Sequence, residues 1–226
     1  AGFIAETFPS VAGQLIPPDG YLQNVYKHIR NAGGLCVADE VQTGLGRLGE
    51  YYFGFEQQEV EPDIVVLGKP IGNGHPIGVV IASKEIAASF AEGPEFFSTF
   101  GGSTLSCLIG REVLEIIDDE KLQENASFMG KKLLAGLKEI QKEFSQIGDV
   151  RGMGLFCGID LVKNRKSREE DSELCHYIKD RMRDYRILIG SEGPKDNILK
   201  IRPPLTIDEE GIDMILSYLK KILQEI

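Results

Sequence analysis

Two stretches decide the fold: Leu35-Cys36-Val37-Ala38-Asp39-Glu40, and further on Asp63-Ile64-Val65-Val66-Leu67-Gly68-Lys69. Each is a short, continuous apolar run bounded by turn residues, the pattern of a strand in a covered parallel sheet. Each also ends on charge, acidic in the first and basic in the second, and α/β sheets bind ligands at the carboxyl ends of their strands. Upstream, Phe3 to Glu6 is a third such run, followed by a Pro/Gly-bearing loop from Pro9 to Pro18. Pro18-Asp19-Gly20-Tyr21 then turns into a helix reaching about Ala32, with Leu22, Val25, Tyr26 and Ile29 on one face and Gly33-Gly34 as the stop. Val79 to Ala82 reads as a strand that runs antiparallel after the turn at Gly74-His75-Pro76, and helices are expected over 84–91, 103–119 and 121–144. Strands alternating with helices predict an α/β protein with a mainly parallel sheet.

The texture changes near residue 118, where Asp118-Asp119-Glu120-Lys121 breaks the apolar periodicity. Beyond it the chain reads as strands at 147–151 and 154–161, a helix at 171–184, short strands at 187–190 and 198–201, and a last helix at 208–225. That is a small α+β domain, so residues 1–117 and 118–226 are expected to be separate domains, with the mixed-charge stretch Lys163 to Asp171 an exposed loop. The chain opens at Ala1 directly on a strand that needs neighbours, which reads as the interior of a longer protein.

Composition narrows the function classes. At 226 residues, 42% hydrophobic and 27% charged, the chain is globular rather than disordered. No apolar run approaches the roughly 20 residues of a membrane span, and AGFIAETFPS lacks the features of a secretory signal. A formal charge of -10 argues against a nucleic-acid surface and for a small-molecule or protein partner. Cys36, Cys107, Cys157 and Cys175 show no metal-like spacing and suit free thiols in the cytoplasm or an organelle matrix; with only His28, His75 and His176, no metal centre is expected.

Four segments carry candidate chemistry. A carboxylate at a buried strand tip needs a partner, so Asp39 reads either as a ligand-holding acid or as a helix cap or Arg47 salt bridge. Lys69, inside the glycine-rich Gly68-Lys69-Pro70-Ile71-Gly72-Asn73-Gly74, can approach a ligand closely and form an imine, or is an ordinary turn lysine. Neither phosphate-loop motif is present, so the nucleotide reading is weak. Phe97-Ser98-Thr99-Phe100-Gly101-Gly102-Ser103-Thr104 leads hydroxyls and free N–H groups into a helix, an anion site or simply a Ser103 cap. Lys200 and Arg202 fall on one strand face, able to hold a carboxylate or phosphate, or else standing as solvated edge-strand charges.

Together these segments resemble the C-terminal half of the class III (ω-amino acid) aminotransferases, fold-type I enzymes that use pyridoxal 5'-phosphate. The similarity runs through FIAE, GGLCVADEVQTGLGR, LGKPIGNGHPIG, TFGGSTLSC, DVRGMGLFCGIDL and LKIRPPLTI, and covers essentially all of the chain. It implies part of the large domain, a mainly parallel sheet with helices, followed by the small C-terminal α+β domain. It implies that Lys69 joins the cofactor aldehyde as an imine and then moves the substrate proton, and that Asp39 keeps the pyridine nitrogen protonated. By the same resemblance Val41 packs on the ring, Gln42 bonds its phenolic oxygen, Glu6 lines the substrate channel, and Thr99 reaches the cofactor phosphate of a neighbouring subunit. The active unit is then a homodimer with shared sites, taking a small-molecule amine and a keto acid. His75, Arg47 and Arg151 are assigned to packing.

Two departures matter. Typical members carry the arginine that grips the substrate carboxylate at the position of Lys200, and a lysine lacks the planar fork. LKIRPP, ETFPSVAGQ and IGDVRGMGLF also resemble a branch that eliminates phosphate from phosphorylated amines such as phosphoethanolamine, to which Lys200 and Arg202 would be suited. The family's N-terminal half, with its phosphate-cupping turn, does not precede Ala1, so this polypeptide alone is expected to lack a complete site. A non-catalytic binding module of the same fold is the remaining alternative, against which the intact Asp39, Lys69 and Thr99 argue.

Overall fold

The apolar runs at the start of the chain become strands that pair in one direction. The structure, a computed structural model, describes residues 2–226. The chain folds into two units: one holds the residues up to Thr7, Pro17–Gly46 and Tyr51–Lys121, the other Phe8–Ile16, Arg47–Glu50 and Leu122–Ile226.

In the first unit β1 (Gly2–Glu6), β2 (Leu35–Asp39) and β3 (Ile64–Leu67) are parallel, and β4 (Val79–Ala82) adds antiparallel to β3, in the order β1-β2-β3-β4. The crossover from β1 to β2 carries α1 (Tyr21–Asn31), whose apolar face buries Leu22 and Tyr26 against Cys36. Gly33 ends that helix in a left-handed conformation (φ 75°), while the N–H of Gly34 bonds the Ile29 carbonyl at 2.9 Å, satisfying an orphan helix acceptor. The Asp63 carboxylate then accepts from the Cys36 N–H at 2.7 Å and from Arg30 at 3.1 Å, tying the entry of β3 to β2 and α1. Burial of the sheet is one-sided. Cys36 and Ala38 are fully buried, whereas Ile4 and Val80 on the other face are 66% and 68% exposed, so the continuous apolar runs reflect one packed and one open apolar face. Two helices complete the unit, α2 (Lys84–Ala91), capped by the Ser83 hydroxyl, and α3 (Thr104–Asp119).

The second unit is an antiparallel sheet backed by helices. β5 (Ile147–Met153), β6 (Phe156–Asn164), β8 (Gly190–Glu192) and β9 (Ile198–Ile201) form the order β5-β6-β9-β8, with β7 (Glu169–Glu170) on β6. α4 (Leu122–Glu143), α5 (Ser172–Asp184) and α6 (Glu209–Leu223) supply the core, where Leu133, Leu137, Ile159, Ile178 and Leu219 are buried together. Two expectations shift here. The strand expected at 187–190 begins instead at Gly190, because Arg186 turns left-handed (φ 64°) and the Ile187 N–H closes back onto the Met182 carbonyl. Within the exposed 163–171 stretch, Glu169 and Glu170 pair with Asn164 and Val162.

One contact fixes how α4 meets the β5–β6 hairpin. A Cβ on Gly130 would fall 2.3 Å from the carbonyl carbon of Gly154, backbone that cannot step aside. Gly130→Ala should therefore destabilise this unit by about 2–3 kcal/mol, read as a lower urea midpoint; an unchanged midpoint would contradict the close approach.

Candidate active site

The parallel register builds the site. Glu6, Asp39 and Val66 stand side by side at the carboxyl ends of β1, β2 and β3. Lys69 follows three residues after Val66, so the acid and the amine lie at the same end of adjacent strands, where α/β sheets hold their ligands. Val41 comes close to the same strand end, since a Cβ on Gly68 would sit 3.5 Å from its Cγ2. Asp39 is half-buried and Lys69 exposed.

Local chemistry leaves both groups available. Asp39 caps no helix; its Oδ1 accepts the Val41 N–H at 3.0 Å, and among the described residues its other oxygen accepts no hydrogen bond. Lys69 opens a single 3-10 turn (Lys69–Gly72) with φ 38°, an uncommon conformation for a side-chain-bearing residue of the kind that clusters at functional sites. Among the described residues its amine forms no ion pair. An uncommitted amine beside an acid with a free oxygen suits a carbonyl ligand that also carries a protonatable atom. Among the described residues no group of three His, Cys, Asp or Glu side chains could hold a metal ion, and no helix is long and apolar enough to cross a membrane.

Around this pair the remaining candidates divide. Gln42 is buried at the turn after β2. His75 bonds the Ser106 hydroxyl at 2.8 Å, fastening the lysine loop to α3. Thr99 occupies an exposed turn in which the Ser98 hydroxyl accepts from Gly101 N–H, and Ser103 begins α3 without a side-chain cap bond, so capping does not account for that serine. Lys200 and Arg202 belong to the second unit. β9 lies between β6 and β8, so Lys200 is not an edge-strand charge, while Arg202 lies just past the end of β9 rather than on a strand face with Lys200. The Lys200 ammonium is paired with Glu192, and the Arg202 guanidinium stands 5.6 Å from the Phe156 ring. Arg47 donates to the Leu155 and Pro203 carbonyls; burial, then the nearby Arg202, lowers its pKa to about 10.

The sequence reading gave Glu40 no role. It is fully buried, and its carboxylate accepts four hydrogen bonds, from Thr7, Thr43, Gly54 and Phe55. Burial raises its pKa, against the opposing pull of these donors. The strand period contained a signal for it, since Cys36, Ala38 and Glu40 alternate onto the packed side.

The chain is similar to known proteins over nearly its whole length. The family model for aminotransferase class-III matches residues 1–223. The chain is 47% identical over 225 residues to an alanine–glyoxylate aminotransferase 2-like protein of Drosophila melanogaster, covering 99% of this chain and 46% of that one. It is 43% identical over 226 residues to ethanolamine-phosphate phospho-lyase homolog 1 of Caenorhabditis elegans, covering 99% and 48%. The chain thus spans about half the length of the curated relatives it matches. A solved Arthrobacter phospholyase in complex with phosphoethanolamine superposes with a TM-score of 0.96 at 39% identity, over 99% of this chain and 53% of that one.

If Asp39 and Lys69 serve a ligand rather than the fold, removing them should cost little stability. Asp39→Asn and Lys69→Ala should each unfold within about 1 kcal/mol of the unaltered chain, the scale of one net hydrogen bond. A loss of several kcal/mol in urea titration would make them structural.

Proposed function

The chain belongs to the class III aminotransferase family, and from that premise we propose that the protein carrying these residues is a pyridoxal 5'-phosphate-dependent aminotransferase that moves an amino group between an amine or amino acid and a keto acid. The single observation that carries this reading is the juxtaposition of Asp39 and Lys69 at the ends of neighbouring parallel strands. The first unit is then part of the cofactor-binding large domain and the second the small C-terminal domain.

The uncommitted Lys69 amine and the free Asp39 oxygen fit the cofactor's aldehyde and ring nitrogen. When bound, pyridoxal phosphate supplies an electron sink for the carbon that loses its proton. Asp39 would hold the proton on the pyridine nitrogen. Val41 would pack against the ring and Gln42 would meet its phenolic oxygen. Lys69 would hold the cofactor and then take and return the proton at the substrate's amine-bearing carbon. Glu6, in register with Asp39, would line the substrate path. Thr99 would meet the cofactor phosphate of a second copy. Its turn lies between Phe97 and Phe100, 82% and 85% exposed, apolar surface of the kind that homodimer interfaces cover. The four free cysteines suit a reducing compartment, the cytoplasm or an organelle matrix.

The phospho-lyase reading is favoured by the similarity to the phosphoethanolamine-bound enzyme and by the basic residues Lys200 and Arg202. In it Lys69 would take the same proton, and the adjacent carbon would lose phosphate. Lys200 is already paired with Glu192, so a substrate anion would have to displace that carboxylate or rely on Arg202.

A panel of amines and phosphorylated amines, each with and without a keto acid and assayed on the full-length protein, separates the readings. Keto-acid-dependent amine transfer is the expected result. Release of inorganic phosphate without keto acid would establish the lyase, and neither product from any amine would leave the binding-module reading.

A further inference from the structure

The strongest unassigned feature of the first unit is the sealed carboxylate beside Asp39. We propose that Glu40 is a positioning residue: its carboxylate gathers the chain after β1, the turn after β2 and the 3-10 helix at Gly54–Gln58 onto one point, and so fixes the turn that presents Asp39, Val41 and Gln42. The consequence for the cofactor rests on the function proposed above; the effect on the turn does not.

The geometry is specific. Oε1 accepts the Thr7 hydroxyl at 3.0 Å and the Phe55 N–H at 2.9 Å, while Oε2 accepts the Thr43 hydroxyl at 2.6 Å and the Gly54 N–H at 2.8 Å. The two threonine hydroxyls are themselves 3.1 Å apart, and Thr7 and Thr43 are as buried as Glu40. The backbone of Glu40 is held as well. Its N–H bonds the Val66 carbonyl on β3, and its carbonyl accepts the Gly44 N–H, each at 2.9 Å. Among the described residues no lysine or arginine pairs with this carboxylate.

A buried charge is an expensive way to stabilise a core, which apolar side chains of similar volume do as well or better. What a carboxylate offers instead is two oxygens able to accept from four donors at once. An amide of the same size cannot do this. In Glu40→Gln one oxygen becomes an NH2 group, which then faces a backbone N–H of Gly54 or Phe55 that it cannot satisfy, and the turn from Asp39 to Gly44 must give way. Thr7→Val is the milder variant, removing one donor and keeping the carboxylate.

The test is amide hydrogen exchange on the full chain without cofactor, followed by titration with pyridoxal phosphate. Glu40→Gln should speed exchange at 41–44 and 54–55 by about tenfold or more, the loss expected for one unsatisfied buried group, with β4 and the second unit unchanged; Thr7→Val should give a smaller change at the same amides. Pyridoxal phosphate affinity, read by visible absorbance, should fall about tenfold in Glu40→Gln. Unchanged exchange in both variants would overturn the proposal, and so would a uniform acceleration across the first unit, which would mark Glu40 as a simple core element. If Glu40→Gln does not fold, Thr7→Val decides by the same criterion. If the unaltered chain takes up no pyridoxal phosphate, as an incomplete site would allow, the exchange result alone decides the role of Glu40.

Discussion

Everything at the candidate site depends on the parallel register that sets Asp39 opposite Val66. Side chains alternate faces along a strand, so a slip of one residue between β2 and β3 would turn the acid to the other side of the sheet from the groups that now surround it. The register is held from several directions. Asp63 fastens the start of β3 to the N–H of Cys36, and the Glu40 N–H continues the ladder to Val66 past the end of β2. On the packed face, α1 seats Tyr26 and Leu22 against Cys36. Secondary structure, burial and strand-end chemistry thus serve one placement: a carboxylate and an amine at the same end of adjacent strands.

Two neighbouring acids show how environment divides labour. Asp39 and Glu40 are adjacent in sequence and point to opposite sides of the sheet end. Asp39 stays half-open and spends one oxygen on its own turn, leaving the other without a hydrogen bond among the described residues. Glu40 spends both oxygens inside the protein and has nothing left to offer outside. The second unit repeats the distinction among cations. Lys200 is committed to Glu192 and Arg47 to backbone carbonyls, which weighs against treating every basic residue of that unit as a substrate contact.

Much of this was legible in the sequence wherever the signal was local. The strands at 35–39 and 64–67, the α1 face, the antiparallel β4 and the helices of the second unit follow from apolar runs, 3.6-residue periodicity and glycine stops. The family resemblance joined Asp39 and Lys69 in one proposed site, which residue chemistry alone left open. What escaped was non-local or depended on backbone detail. The Ile187-Leu188-Ile189 run looked like a strand, but a left-handed turn at Arg186 spends those residues on leaving α5, and pairing starts only at Gly190. Three of the four donors to Glu40 lie 33 positions before it and 14 and 15 after it, distances at which no sequence pattern shows convergence. Lys200 was readable as a cation on a strand, but its engagement by Glu192 follows from the β8–β9 pairing.

The central claim is that the amine at position 69 is the one that binds the cofactor beside Asp39. The most direct measurement is borohydride reduction of the protein after incubation with pyridoxal phosphate, followed by peptide mass mapping. The account predicts a single pyridoxyl adduct on Lys69. Cofactor fixed to another lysine, with Lys69 unmodified, would contradict it.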